Sequence, residues 1–77
     1  MKKIAVVEDD VYIGNMLAEL LRANGYAVSR AYSGSEALLL LERETPDLML
    51  LDLMLPGLPG EEVLSAVEGV LSREGAE

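Results

Sequence analysis

The sequence contains no cysteine, no tryptophan and no phenylalanine among its 77 residues. Without Cys there can be neither a disulfide nor a thiolate metal site, which agrees with a cytoplasmic setting. Aromatic residues make up only 4%, all of them Tyr, so any core has to be built from aliphatic side chains. Basic residues are also scarce: 6 Lys and Arg stand against 14 Asp and Glu, for a formal net charge of −8. A surface of that sign repels phosphate backbones and anionic lipid, which argues against direct nucleic-acid or membrane binding. No apolar run approaches the roughly 18 residues of a membrane span. The short run after Lys2 and Lys3 is stopped by Glu8, Asp9 and Asp10, too early for the apolar region of a signal peptide. Internal repeats and low-complexity segments are absent as well. These absences point to a soluble, cytoplasmic chain long enough for one small domain.

What is present is apolar and periodic. Hydrophobic residues account for 51% of the chain and fall in blocks, as in a globular protein rather than a disordered one. Ile4-Ala5-Val6-Val7 is continuous rather than alternating, the pattern of a strand buried on both faces of a parallel sheet. Ile13, Leu17, Leu20 and Leu21 then recur at helical spacing, with Asp9 or Asp10 available as a cap and Asn24-Gly25 as a stop. Tyr26 to Ala31 reads as a more polar strand nearer a sheet edge. Ser33-Gly34-Ser35-Glu36 fits a capping box, and the helix it opens ends before Pro46. Leu48 to Leu53 is again nearly all apolar, interrupted by Asp52, and a Pro- and Gly-rich loop follows. Val63, Leu64, Val67, Val70 and Leu71 share one face of a last helix, and Ser72 to Glu77 reads as a frayed polar end. The expected elements are strands at about 3–8, 26–31 and 48–53 and helices at about 11–24, 34–44 and 60–72.

That alternation predicts an α/β fold: a (βα)3 unit with a parallel sheet in the order 2-1-3 and helices on both faces. The first helix is expected on one face and the other two on the opposite face. In open α/β sheets ligands bind beyond the carboxyl ends of the strands, where the strand order reverses. Glu8 and Asp9 end the first strand and Asp52 ends the third, so three carboxylates are expected to meet in one crevice. Carboxylates gathered so closely repel one another, and a hard divalent cation removes the repulsion. Mg²⁺ suits a few carboxylates, a carbonyl and several waters. Such an ion can bridge an Asp oxygen and a phosphoryl oxygen, which suggests phosphoryl transfer onto a carboxylate.

Taken together, these motifs resemble the receiver domain of two-component response regulators. Val6-Val7-Glu8-Asp9-Asp10 is similar to the acidic end of the family's first strand. Leu50-Leu51-Asp52-Leu53-Met54-Leu55-Pro56-Gly57-Leu58-Pro59-Gly60 is similar to its phosphoacceptor strand and following loop. The resemblance implies that Asp52 accepts the phosphoryl group from a sensor histidine kinase. It implies a Mg²⁺ ion held by Asp52, Asp9 and the Met54 backbone carbonyl, with Glu8 acting mainly through water. Asp10 matches a position outside the ligand set and suits a helix cap. Pro56, Gly57 and Gly60 would shape the loop. The family's fold is flavodoxin-like, so the strand order is not independent of the resemblance.

The likeness runs from Lys3 to about Val70. It implies five βα units, of which three are visible here, and the others normally bring a Ser/Thr and a Lys to the phosphoryl group. Phosphorylation is therefore expected to be impaired, in a signalling domain rather than an enzyme. The third strand is expected to be a free apolar edge and the first helix to lack a neighbour on its face, so a homodimer or oligomer is expected, through that strand or a swapped last helix. The alternative is a non-catalytic, self-associating or partner-binding fragment with a vestigial acidic site. A metal-dependent phosphatase or nuclease fits less well, since Asp52-Leu53-Met54 lacks a second acid and the chain has no His.

Overall fold

A computed structural model of the chain describes residues 1–51 and 60–75. Its elements are β1 (Lys3–Val7), α1 (Val11–Ala23), β2 (Ala27–Ala31), α2 (Gly34–Arg43), β3 (Leu48–Leu51) and α3 (Gly60–Gly75). The strands form a parallel sheet in the order β2-β1-β3. Lys3 to Val7 pair with Ala27 to Ala31 on one side, and Ile4 to Val7 pair with Leu48 to Leu51 on the other. The expected α/β architecture, strand order and helices on both faces are all present.

Each helix end has a local cause. Asp10 is the N-cap of α1, its Oδ1 accepting from the Ile13 amide at 2.9 Å. At the other end Gly25 adopts φ 93°, a left-handed conformation that Gly takes without steric penalty. The Gly25 amide donates to the Arg22 carbonyl and the Tyr26 amide to the Leu21 carbonyl, both at 3.1 Å, which closes the helix as a Schellman motif. Ser33 caps α2 through its hydroxyl, which accepts from the Glu36 amide at 3.2 Å. Glu36 returns the contact one residue earlier than a capping box requires, accepting from the Tyr32 amide at 2.8 Å. Asp47 ties the start of β3 to β1: its amide donates to the Lys3 carbonyl at 2.8 Å and its carboxylate accepts from the Lys3 amide at 2.7 Å.

Two of the expectations are corrected. The polar stretch after Leu71 does not fray at once, because α3 continues to Gly75. Arg73 and Glu74 are good helix formers, and Arg73 in the last turn suits the negative end of the helix dipole. The larger correction concerns where α3 lies. It packs beside α1, not beside α2: Val63, Val67 and Leu71 join Ile4, Val6, Leu17 and Leu21 in one buried cluster. The right-handed crossover rule governs a helix that lies between two parallel strands of one sheet. No strand follows α3 among the described residues, so the rule leaves its face open. Burial then decides. The α1 face offers the long side chains of Ile4, Val6, Leu17 and Leu21, whereas the α2 face is built largely from Ala5, Ala31 and Ala37.

Exposed apolar side chains remain on α1, at Val11, Tyr12 and Met16, and apolar surface is also uncovered on the α2 side. Met49 is only half-buried there, and Leu51 and Leu38 are 60% and 68% exposed. Leu21, fully buried, and Leu38 should therefore respond very differently to truncation. We expect Leu21→Ala to lower the unfolding free energy by about 3 kcal/mol and Leu38→Ala by less than about 0.5 kcal/mol. Urea denaturation of the two variants checks this, and equal losses would contradict the packing described.

Candidate functional site

The site is built from the carboxyl end of β1. Ile4, Ala5 and Val6 are almost wholly buried, so β1 has no room for charge beyond its exposed first residue, Lys3. The acids come where the strand ends. The Glu8 amide still pairs with the Ala31 carbonyl at 3.0 Å, one residue past β1, which holds the chain in the sheet direction as it leaves. Glu8 is 2% exposed, the one charged side chain among the buried residues described. Its Oε2 accepts from the Asp10 amide at 3.1 Å, while its Oε1 is buried with no hydrogen-bond partner among the described residues. Asp9 is exposed, and Asp10 is half-buried and occupied as the cap of α1.

An open cleft of about 410 Å³ lies over this end of the sheet, lined by Val7, Glu8, Asp9, Tyr32, Ser33 and Leu51. Three strand ends thus contribute to it: Glu8 and Asp9 after β1, Tyr32 and Ser33 after β2, and Leu51 as the last described residue of β3. Of the residues picked out in the sequence, Glu8 and Asp9 both line this cleft. Asp52, Met54, Pro56 and Gly57 lie outside the described residues, and Gly60 is the first residue of α3. Among the described residues no three acidic side chains gather as a metal site.

The donor chemistry nonetheless fits a hard divalent cation. A buried carboxylate oxygen without a partner is costly, and a cation or ordered water in the cleft would satisfy it. Glu8 and Asp9 together offer only oxygen ligands, the type Mg²⁺ prefers.

Two cleft residues were not singled out in the sequence as site residues. Tyr32 and Ser33 directly follow β2, so the rule that gathers strand ends would have found them. Arg30 had no such signal. It sits within β2, and its guanidinium donates to the Val6 carbonyl at 3.0 Å and to the Glu8 carbonyl at 3.3 Å.

Compared with known protein families, residues 4–71 match the response regulator receiver domain. The match covers most of the 77 residues. The chain belongs to the response regulator receiver family. Receiver domains are the phosphoacceptors of two-component signalling, typically bind Mg²⁺ and interact with histidine kinases. No helix among the described residues of this receiver is long and apolar enough to cross a membrane.

The geometry separates the role of Asp10 from that of its neighbours. If its carboxylate serves as a cap, Asp10→Asn keeps the acceptor and should change stability little, whereas Asp10→Ala should cost about 1 kcal/mol. Thermal or urea unfolding of both variants checks this, and equal losses would mean that the charge, not the cap, is what matters.

Proposed function

We propose that this receiver accepts a phosphoryl group on Asp52 from a sensor histidine kinase, with Mg²⁺ held by Asp52, Asp9 and the Met54 backbone carbonyl and with Glu8 acting mainly through water. One observation carries the reading most directly. Glu8 and Asp9 line the cleft reached by the ends of β1 and β3, and one Glu8 oxygen is buried without a partner among the described residues. Leu51, which also lines that cleft, is the residue immediately before Asp52 in the chain.

In the transfer, an Asp52 carboxylate oxygen forms a bond to phosphorus as the bond from phosphorus to the donor imidazole nitrogen breaks. The departing nitrogen takes up a proton. Mg²⁺, when bound, offsets the charge that gathers on the phosphoryl oxygens. Asp9 supplies a solvent-facing carboxylate, and Glu8 supplies a buried one whose second oxygen is already fixed by the Asp10 amide. The chain in this reading is a signalling domain rather than an enzyme, acting in the cytoplasm, and contributes part of the transfer chemistry.

The test is the intact mass after incubation with a small phosphodonor and Mg²⁺. We expect a gain of one phosphoryl group that disappears in Asp52→Asn and without Mg²⁺. No gain in a folded sample would refute phosphorylation of this chain and favour an interaction fragment with a vestigial acidic site.

Self-association is the second part of the proposal. β3 borders the sheet and is unpaired on its outer side among the described residues, and its sequence, Leu-Met-Leu-Leu, has no charge or Pro to discourage another strand. A second copy pairing along β3 would cover this edge, and exchange of α3 between copies is the other route to a dimer. We expect the mass by light scattering to rise with concentration and Leu51→Lys to suppress the rise. A strict monomer at high concentration would rule it out.

A further inference from the structure

Arg30 is a charged side chain in a place where charge is rare. It is the penultimate residue of the β2 strand, paired with Val6, and points to the α1 side. One guanidinium nitrogen, Nη1, donates to the Val6 carbonyl at 3.0 Å and to the Ala31 carbonyl at 3.4 Å. The other, Nη2, donates to the Glu8 carbonyl at 3.3 Å. The group also stacks on the Tyr32 ring, 4.3 Å from its centroid. The planar fork of Arg suits this bridging, since it presents several donors in fixed directions.

Room for the guanidinium comes from α1. Gly14 is a buried residue of the helix, and a β-carbon built there would overlap the guanidinium of Arg30. A Gly inside a helix costs about 1 kcal/mol relative to Ala. Here the missing β-carbon leaves the space that Arg30 fills.

We propose that Arg30 is a positioning residue for the acidic site, fixing the main chain at Glu8 so that the Glu8 and Asp9 carboxylates face the cleft. The inference rests on the Mg²⁺ reading given above. It carries a direction that simple electrostatics does not. A cation beside a divalent-metal site repels the metal, so removal of its charge alone would tighten binding. If positioning wins, displacing the guanidinium weakens binding, as loss of groups that orient metal ligands does elsewhere, by about tenfold or more.

Gly14→Ala is the sharpest probe. It leaves the acids and Arg30 in the sequence and favours α1, but it pushes aside the far end of a flexible side chain. Arg30→Met is the companion variant. We would measure Mg²⁺ affinity by calorimetry and, without metal, hydrogen exchange at the Glu8 and Asp10 amides. Those amides donate to the Ala31 carbonyl and to Glu8 Oε2. We expect both variants to bind Mg²⁺ about tenfold more weakly, and exchange to quicken at these two amides but not in the buried middle of β1. Gly14→Ala should do this without loss of thermal stability. Unchanged exchange at these amides, or unchanged or tighter Mg²⁺ binding, would overturn the proposal. Failure of the unaltered chain to bind Mg²⁺, or binding that survives Asp9→Asn, would sink the metal reading instead, and the metal-free exchange would still decide the role of Arg30.

Discussion

The structure hangs on β1. It is hydrogen-bonded along both edges, and Ile4, Ala5 and Val6 are almost wholly buried, with one neighbour face leading to α1 and α3 and the other to α2. A strand so placed satisfies its backbone on both sides and can carry no charge along its buried stretch, Ile4 to Val7. The first position at which an acid can stand is just past its end, and there Glu8 and Asp9 stand. The cleft is therefore a product of the sheet: β1 delivers the acids, and its two partners bring Tyr32, Ser33 and Leu51 to the same end. Local bonds then divide the labour among three adjacent acids. Asp10 turns to cap α1, Glu8 is buried with one oxygen fixed, and Asp9 faces solvent.

The two faces of the sheet differ in bulk, and that difference arranges the helices. Alternation along β1 sends Ile4 and Val6 one way and Ala5 and Val7 the other. The first face is deep enough to take the stripe of α3 as well as that of α1. The second is shallow, built largely from Ala5, Ala31 and Ala37, and Ser29 on β2 bonds Glu44 at the end of α2. Coverage of the shallow face stops short of β3, where Leu51 remains exposed. Next to α3 the fit is also imperfect. A groove of about 200 Å³ lies between Leu48 and Leu50 on β3 and Val63 and Val67 on the helix.

Much of this was legible in the residues. The unbroken run Ile4 to Val7 marks a doubly covered strand, and only a central place in the sheet provides that. Asn24-Gly25 stops α1 as expected, and Glu8 and Asp9 line the cleft at the carboxyl end of the sheet. The helix side of α3 was not legible, because an apolar stripe says that a face is buried and not against what. Handedness rules fix the side of a helix only where a strand follows it, and none follows α3 among the described residues. Arg30 escaped notice for a related reason. A charge within a strand reads as exposure at a sheet edge, and β2 is indeed an edge, but the guanidinium turns inward because Gly14, distant in sequence, leaves a space. Nothing in either segment alone announces that pairing.

The pairing pattern of β1 also bears on how the chain comes to be folded. Lys3 meets Ala27 and Ile4 meets Leu48, so both partners of the earliest strand lie later in the chain. During synthesis the most buried of the three strands is made before the other two and finds its two edges filled in turn, β2 after α1 has been made and β3 only after α2. Parallel pairing across such spans is slow, since the loops must close before the contacts can reward them. Until Leu48 arrives, one side of β1 offers open backbone beside Ile4 and Val6. The acids that end the strand then have a second effect: they place charge beside the segment that would otherwise be the readiest to aggregate while it waits.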